Sequence, residues 1–555
     1  MTNNLEEELR NFIKKFKVSN EYFVGYIPKY RVIYWIIAVK EFLQEIQELA
    51  ELIKKDANET NWRIGAKLRL VLISFRATFR ITTTQLETVL LNDKNSILFE
   101  FLKLFSEHIY ISHSEWSNRR GVFEKYSSKI EVLVWKIKEC YHELYLNNFI
   151  KNYISRSKNS KHQEVLNTVE ILEGINFTKH FPDQLLSWKN GYPDDLLFKV
   201  FIFMKLRMIA SIPYLEMVIN EHYIIEDGVI PIIGRALGFY FRIPSLAKLY
   251  YAYRKFKPKS ILGIFENNTE LLIKERIINL ETIIGDSTVF KTRKDDPDGT
   301  KYHKRDAETS KVMKYQALVD PNCIPLVLIP RKGDEHDEKG FNVLKEKLIW
   351  LKEMAAKYGV KIRMVLLDAG YSSSEILEFI EKKIKAIPIV DINPRNSKTL
   401  KLIKERLEYF KQYFREILEL GARFPKLAEL CYYRFLDDIG KAEKELNNIK
   451  GVRQGVVPRY LKIFREIGFK EFISLYRSRT IVEGLFGMMK ACYALLGRTD
   501  RRLPLKGKEQ AYKHGLFILL AMQYLAYFNY KVLNRNKHLL RSLYYIKLKE
   551  IEVIY

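Results

Sequence analysis

Cysteine is scarce in this chain of 555 residues. Its four copies are far apart and form neither a CxxC pair nor a Cys/His pattern with the spacing of a zinc site. A disulfide-stapled scaffold and a zinc-binding domain are therefore excluded. We expect reduced core cysteines in a cytoplasmic protein, at Cys140, Cys323, Cys431 and Cys492.

Long apolar runs are lacking as well. The longest, Gly515 to Phe528, is interrupted by Gln523 and is shorter than the ~20 residues that cross a bilayer. The chain starts with MTNNLEEELRNF, which is acidic and polar where a signal peptide is basic and then apolar. The sequence therefore predicts no membrane partner, no export, and a buried helix over the apolar run.

Glycine-rich phosphate loops are missing from the sequence. Neither a GxxxxGK motif followed by Ser or Thr nor a GxGxxG unit opens a helix after a strand. Chemistry driven by a bound nucleotide therefore has no support.

Acidic residues are outnumbered, since 93 Lys and Arg face 67 Asp and Glu and leave a formal charge of +26. Hydrophobic residues make up 47% of the chain and aromatic residues 13%, whereas disordered basic tails are poor in both. The basic surface must therefore belong to folded domains. A polyanion is the expected partner.

Helical periodicity dominates the first half of the chain. We predict an N-terminal helical domain over 1–165, with a polar linker at 155–162. The region 166–278 alternates short helices with tight turns, as helix-turn-helix DNA-binding modules do. An ordinary helical packing domain remains the alternative for this second region.

The pattern changes near residue 280 to strands and helices in alternation. In chain order we predict a strand at 280–290, two strands within 311–333 joined at Asp320, a helix at 340–359, a strand at 361–370, a serine-capped helix at 372–383 and a strand at 384–393. This order predicts a mixed α/β sheet. The α/β domain has two parts, 279–397 and 455–535, separated by a helical insertion at 398–454 and followed by a basic tail at 536–555.

Two aspartates come at the ends of predicted strands. Asp286 follows IIG and Asp368 follows VLL, and carboxylates at strand ends of an α/β sheet lie where ligands usually bind. Either residue alone is more often a cap for the next turn. The acidic runs at 295–299 and 334–338 are expected to be solvated loops rather than metal sites.

A helix predicted from about Glu471 to Leu496 gathers four polar side chains on one side. At ~100° per residue, Tyr476, Arg479, Glu483 and Lys490 fall within an arc of about 60°, and apolar residues occupy the opposite side. A solvated salt-bridge face is the alternative explanation.

Asp286 in IIGDSTVF, Asp368 in LLDAGY and Glu483 in YRSRTIVEGLFGMMK together resemble the DDE transposases of prokaryotic insertion sequences, in the insertion sequence four group. The spacing Tyr-x2-Arg-x3-Glu-x6-Lys is that group's signature and matches without a gap. The resemblance covers about 190–395 and 455–530. Many members carry a β-rich insertion before the glutamate, whereas the insertion here is expected to be helical.

The resemblance implies a ribonuclease H-like catalytic domain and a metal-dependent DNA endonuclease and polynucleotidyl transferase. It makes Asp286, Asp368 and Glu483 both the catalytic residues and the ligands of two Mg²⁺ ions, for which Mn²⁺ can substitute. By the same resemblance, Arg479 and Lys490 would hold phosphates of the DNA, and Tyr476 would contact the DNA end.

The expected partner is double-stranded DNA, at the element ends and at the target, bound by a homodimer in the cytoplasm near the nucleoid. Phosphate contacts are expected from Arg254, Lys255, Lys257 and Lys259. Two alternatives remain open. One is a nuclease on the same fold that cleaves but does not join, and the other is a transposase-derived DNA-binding protein without activity.

Overall fold

The computed structural model describes residues 23–24, 27–57, 65–92, 97–106, 109, 120–150, 168–187, 191–220, 223–225, 228–230, 233–302, 310–335, 337–371, 373–390, 398–447, 480–493, 495–496 and 502–533. These residues form two compact units that divide between Phe256 and Lys257. Of the described residues at the end of the chain, 528–533 are also assigned to the first unit.

The first unit is built from helices, as predicted, with two very short strand pairs in addition. Its helices are α1 (Lys29–Glu41), α2 (Leu43–Ala57), α3 (Ala66–Phe79), α4 (Thr83–Asn92), α5 (Ile97–Lys103), α6 (Arg120–Lys125), α7 (Ser127–Leu144), α8 (Asp194–Leu206), α9 (Ile212–Asn220), α10 (Ile233–Ala236) and α11 (Leu246–Lys255). The strands are β1 (Phe23–Val24), β2 (Ile27–Pro28), β3 (Tyr223–Ile225) and β4 (Gly228–Ile230).

A buried ion pair joins the two helical regions that the sequence analysis separated at residue 165. Arg31 in α1 is fully buried and donates to both carboxylate oxygens of Glu170, at 3.1 and 3.2 Å. Arg31 also donates to the Ala236 carbonyl at 2.8 Å. Charges so buried are stable only when paired. The described residues on both sides of 165 therefore pack as one unit, while the predicted linker lies outside the described residues.

The second unit contains the predicted α/β sheet. Its strands are β5 (Thr282–Lys291), β6 (Thr300–Tyr302), β7 (Ser310–Val319), β8 (Pro325–Lys332), β9 (Met364–Leu367) and β10 (Ile387–Val390). Its helices are α12 (Pro258–Lys274), α13 (Asp337–Lys357), α14 (Ser374–Phe379), α15 (Lys398–Arg423), α16 (Pro425–Asn447), α17 (Ile481–Cys492) and α18 (Lys508–Leu533).

Helix α12 belongs to this second unit, although the sequence analysis placed the domain boundary after it, at residue 278. Glu266 and Glu270 on α12 form ion pairs with Lys347, at 2.5 Å, and with Lys357, at 2.6 Å, both on α13. The boundary therefore depends on contacts between residues about 80 positions apart, which local sequence patterns do not show.

The sheet is mixed, with strand order β10-β9-β5-β7 and with β6 and β8 both paired to β7. Strands β5, β9 and β10 are parallel, and β7 is antiparallel to each of its neighbours. Five of the six strands were predicted. The sixth, β6, has three residues in a turn-rich segment, which is too short for a period-2 pattern to be recognised.

Helices cover both sides of the sheet. We call the side that bears Asp286, Thr288 and Phe290 the front face, and the side that bears Gly285, Ser287 and Gln316 the back face. On the front face the Phe290 ring contacts α17, and the Tyr315 hydroxyl donates to the Ala511 carbonyl of α18 at 2.7 Å. On the back face lies α13.

Helix α18 contains the apolar run, and the prediction of a buried helix is confirmed. Gln523 is fully buried, where its amide donates to Thr269 Oγ1 at 2.8 Å and to the Pro325 carbonyl at 2.9 Å, and accepts from Asn268 at 3.0 Å. The polar break in the run is thus a hydrogen-bonded core contact. Among the described helices, none is long and apolar enough to cross a membrane.

The insertion is a helical hairpin, as predicted, and the described residues 398–447 contain no strand. Its helices α15 and α16 pack on each other through aromatic rings, with Phe435 at 5.4 Å from Phe414 and 6.0 Å from Phe410. The two helices of the hairpin thus stabilise each other through an apolar contact between them.

The acidic turn at 295–299 differs from the solvated loop that was expected. Asp296 is fully buried and accepts a hydrogen bond from the Gly507 amide at 3.2 Å, while Asp298 accepts one from the Lys508 amide at 2.7 Å. Backbone amides at a helix start lack helical partners. The turn therefore caps the start of α18.

The described cysteines also differ from the buried core residues that were expected. Cys140, Cys323 and Cys431 are unpaired and partly exposed.

We predict that the Arg31 pair dominates the stability of the first unit. Arg31→Leu leaves the Glu170 carboxylate buried without its partner and should lower the free energy of unfolding by about 3 to 5 kcal/mol. Lys136→Ala breaks the exposed pair with Glu45 in the same unit and should cost less than ~1 kcal/mol. Urea denaturation measures both, and equal effects would contradict the assignment.

Candidate active site

Asp286 and Asp368 lie side by side where two parallel strands stop pairing. The last residue pair between β5 and β9 is Gly285 with Leu367; Asp286 is the next residue in β5, and Asp368 is the first residue after β9. Neighbouring strands are ~4.8 Å apart, and successive side chains alternate between faces. Both carboxylates are therefore assigned to the front face, at adjacent positions.

Gly285 allows the strands to pack closely beside this pair. A Cβ atom at this position would lie 2.7 Å from Cδ2 of Leu318 and 2.7 Å from Cδ2 of Leu367, the residues paired with Gly285 on both sides. Side chains of the neighbouring strands fill the space that a larger residue would need. The glycine before Asp286 thus leaves room for the Leu318 and Leu367 side chains on the back face of the sheet.

Asp286 has a defined local environment. It is partly exposed, it stands opposite the small side chain of Ala317 in β7, and its Oδ1 accepts the Ser287 amide at 2.6 Å. Asp368 is exposed. Exposure leaves carboxylate oxygens of both residues within reach of a ligand.

Helix α17 lies over the front face of β5. The Phe290 ring is 6.3 Å from the Phe486 ring and 4.9 Å from the Lys490 ammonium, and Cys323 Sγ donates to the Ile481 carbonyl at 3.3 Å. Phe290 is four residues beyond Asp286 on the same strand, so both point to the front face. The helix thus covers the face that carries the aspartates.

Glu483 is an exposed residue in the first turn of α17. At ~100° per residue, it lies within an arc of about 60° with Phe486 and Lys490, the two residues that contact Phe290. Glu483 is therefore exposed beside the buried side of the helix, next to Lys490.

Lys490 differs from the surface ion pair that was the alternative explanation. Its ammonium is over the Phe290 ring, and it forms no ion pair with any acidic residue of the described chain. Partial desolvation lowers the pKa of Lys490 from its usual value. A cation over an aromatic face keeps its outer hydrogens available for a second, anionic partner.

The first half of the predicted signature, Tyr476 and Arg479, lies outside the described residues. Helix α17 is described from Ile481, and it ends at Cys492 rather than at the predicted Leu496. His336 of the acidic run also lies outside the described residues. Of the four polar side chains predicted to share one side of the helix, only Glu483 and Lys490 are among the described residues.

The donor set of the three predicted ligands consists of carboxylate oxygens, which suit a hard cation such as Mg²⁺. The strand register puts Asp286 and Asp368 at neighbouring positions, and Glu483 is on the helix over the same face. Within the described residues, no group of three or more His, Cys, Asp or Glu side chains is close enough to hold a metal ion. The three predicted ligands therefore do not form one metal-binding cluster in this structure.

The four basic residues predicted to contact DNA are all exposed, but one is already paired. Lys255 at the end of α11 contacts both carboxylate oxygens of Asp194, at 2.6 and 2.8 Å. Arg254, Lys257 and Lys259 have no ion pair within the described chain.

Helix α11 also exposes aromatic side chains that the sequence analysis did not single out. Tyr250 and Tyr251 are solvent-exposed, and the Lys248 ammonium is 5.2 Å from the Tyr251 ring. The signal was the KLYYAYRK segment, in which aromatic and basic residues alternate. Such a surface suits nucleic acid, because rings stack on bases and cations pair with phosphates.

One of three comparisons with known proteins found a match. No curated protein and no solved structure matches the chain. A family model described as the transposase DDE domain matches residues 279–519, which run from just before β5 into α18 and include the helical hairpin. That domain implies a ribonuclease H-like fold, with which the mixed sheet is consistent. Residues 279–519 are thus similar to a transposase DDE domain, and this similarity supports a DDE transposase.

Proposed function

We propose that the chain is a DNA transposase of the insertion sequence four group, which cleaves DNA at the ends of its element and joins the freed ends to target DNA. The observation that carries the proposal is the register of β5 with β9, which puts Asp286 and Asp368 at neighbouring positions where the parallel pairing ends, on the face covered by the helix that bears Glu483. The match of residues 279–519 to a transposase DDE domain supports it.

The chemistry needs no covalent enzyme nucleophile. In the first reaction a water oxygen attacks the scissile phosphorus, and the 3′-hydroxyl at the element end leaves. In the second reaction that hydroxyl attacks a phosphodiester of the target, and a target 3′-oxygen leaves. Two Mg²⁺ ions, or Mn²⁺ in their place, held by Asp286, Asp368 and Glu483, would stabilise the charge on the attacking and leaving oxygens.

The basic residues of α17 would hold the DNA. Lys490 lies ~10.5 Å along the helix axis from Glu483, so it reaches a phosphate next to the one being cleaved. The Phe290 ring supports the ammonium from below and leaves its outer side open. Arg479 would hold a neighbouring phosphate, and Tyr476 would contact the DNA end.

Element-end DNA would contact exposed residues of α11 in the first unit and exposed residues at the start of α12 in the second. Arg254, Lys257 and Lys259 supply cations, and Tyr250 and Tyr251 supply rings. The charge of +26 supports a large phosphate footprint. The protein would bind DNA as a homodimer and would be located in the cytoplasm, associated with the nucleoid.

A nuclease on the same fold and an inactive DNA-binding protein are the competing functions. A nuclease cleaves element ends and does not join a pre-cleaved 3′-hydroxyl end to a target, whereas an inactive relative does neither. Joining of a pre-cleaved end by the purified full-length chain with Mg²⁺ supports transposition, and cleavage without joining would favour the nuclease.

We predict that the three carboxylates are each required for cleavage. Asp286→Asn, Asp368→Asn and Glu483→Gln should each lower the cleavage rate by on the order of 1,000-fold, because each removes one anionic ligand. DNA affinity should change by no more than about threefold, since none of these residues is a phosphate contact. Asp334→Asn, in an exposed turn of the same unit, is the matched control. A variant that keeps Mg²⁺-dependent cleavage removes its residue from the site.

We predict that Lys490 acts on DNA rather than on stability. Lys490→Ala should slow cleavage and joining at least about tenfold and shift the melting temperature only slightly, because no ion pair is lost within the described chain. Lys490→Arg, which keeps the charge over the Phe290 ring, should retain more activity. Wild-type rates in Lys490→Ala would show that this lysine has no role in the reaction.

We predict that paired and unpaired cations near α11 behave differently in DNA binding. Arg254→Ala and Lys257→Ala should each weaken binding and reduce the log-log salt slope by about 0.9, the value for one phosphate contact. Lys255→Ala should change the slope less, because its ammonium is held by Asp194. Fluorescence anisotropy at several salt concentrations measures these slopes. Identical slopes in wild type and in all three variants would place the DNA contacts elsewhere.

A further inference from the structure

We propose that a chain of side chains on the back face, Glu335–Arg331–Gln316–Tyr371, positions Asp368. The proposal rests on the proposed function in one respect, which is that Asp368 serves as a metal ligand. Arg331, Gln316 and Tyr371 are buried, and Glu335, from the acidic run that was expected to be a solvated loop, is partly buried. Their connection crosses from β8 through β7 to the turn that follows β9.

Tyr371 anchors the turn that begins at Asp368. Its amide donates to the Asp368 carbonyl at 3.0 Å, and its own carbonyl accepts the Ser373 amide at 2.8 Å. The side chain is fully buried, with its ring 6.2 Å from the ring of Phe341 in α13. Asp368 is therefore three residues from a side chain fixed inside the protein, although it is itself exposed.

Gln316 connects this anchor to the sheet. It is fully buried in β7, where Nε2 donates to the Tyr371 hydroxyl at 3.1 Å and Oε1 accepts from Arg331 Nη1 at 3.3 Å. The next residue, Ala317, is the partner of Asp286 across the sheet. Strand β7 thus pairs with Asp286 through Ala317 and contacts the turn after Asp368 through Gln316.

Arg331 and Glu335 complete the chain. Arg331 is buried on the back face, and its Nε donates to Glu335 Oε2 at 2.9 Å, while its second terminal nitrogen contacts the other oxygen of Glu335. The carboxylate orients the guanidinium from two sides, so that Nη1 is directed at Gln316.

Gly340 at the start of α13 makes room for this arrangement. A Cβ atom on Gly340 would lie 1.8 Å from Arg331 Nη1 and 2.4 Å from Gln316 Nε2. No side chain fits there unless the contact between Arg331 and Gln316 is broken. Helix α13 therefore packs on the Arg331–Gln316 contact at Gly340, its only glycine.

These contacts have a consequence for the front face. A carboxylate on an exposed turn has rotational freedom that binding to a metal must remove, and supporting hydrogen bonds reduce that cost. The four residues lie on the back face, so they contact neither DNA nor a metal on the front. Their effect on the reaction would pass through the backbone of residues 368–371, which makes them positioning residues.

The test uses Tyr371→Phe in the full-length chain. This change keeps the ring against Phe341 and removes the oxygen that accepts from Gln316. The control is Tyr358→Phe, which removes a hydroxyl that donates to Glu270 at 2.8 Å in the same unit, away from the carboxylates. The two readouts are Mn²⁺ affinity, measured by electron paramagnetic resonance, and the cleavage rate at saturating DNA.

We expect Tyr371→Phe to weaken Mn²⁺ binding and to lower the saturated cleavage rate by about 10-fold or more, as loss of a supporting residue does at metal sites. DNA affinity should stay at the wild-type value, and both readouts should be unchanged in Tyr358→Phe. Equal Mn²⁺ affinity and equal rates in the two tyrosine variants would overturn the proposal. Should Tyr371→Phe not fold, Gln316→Met, which keeps the side-chain length and removes the amide, is judged by the same criteria.

Failure of the proposed function gives a different result. A wild-type chain that binds Mn²⁺, loses it in Asp368→Asn and does not cleave element-end DNA is not a transposase. The Mn²⁺ affinities of Tyr371→Phe and Tyr358→Phe still decide the positioning role in that case.

Discussion

The parallel pairing of β5 with β9 is the constraint on which the candidate site depends. Its register places Gly285 beside Leu367 and thereby brings Asp286 and Asp368 to adjacent positions. A shift of one residue in either strand would turn that strand's aspartate to the back face. Leu318 and Leu367 close on Gly285 from both sides, so a larger side chain there would require these two leucines to repack.

Helix α17 is held against this sheet by few but specific contacts. Phe486 packs on Phe290 at the end of β5, and Cys323 contacts the start of the helix from the turn after β7. These two contacts hold the helix at Ile481 and at Phe486, on either side of Glu483. Lys490 shares the Phe290 ring, so an apolar core contact and a candidate phosphate ligand depend on the same aromatic residue.

The sequence predicted the parts of this structure that local patterns encode. Strands β5, β7, β8, β9 and β10 followed from runs of β-branched residues, and the cap at Ser373 from its position before an apolar run. Asp368 follows the end of β9, as predicted, whereas Asp286 is in the middle of β5, because β5 continues along β7 beyond the point where its pairing with β9 ends. The division at Phe256 was not predicted, because it depends on ion pairs such as Glu266 with Lys347. The contacts of Gln316 were not predictable either, since a glutamine inside a strand pattern gives no sign of its partners. The exposure of Glu483 and Lys490 beside a buried apolar side of α17 followed from helical spacing. The positions of Tyr476 and Arg479 remain a prediction.

The acidic turn that caps α18 has a consequence for the hairpin inserted between the two parts of the α/β domain. Asp296 and Asp298 bind backbone amides more than 200 residues further along the chain, so the two parts are joined without any contribution from α15 or α16. The entropy lost in closing such a long loop grows only with the logarithm of its length, by ~0.6 kcal/mol for each doubling. An insertion at this place can therefore lengthen, shorten or change its secondary structure at little cost to the folding of the sheet. The hairpin is therefore the part of the domain whose length and sequence can change most without affecting the sheet.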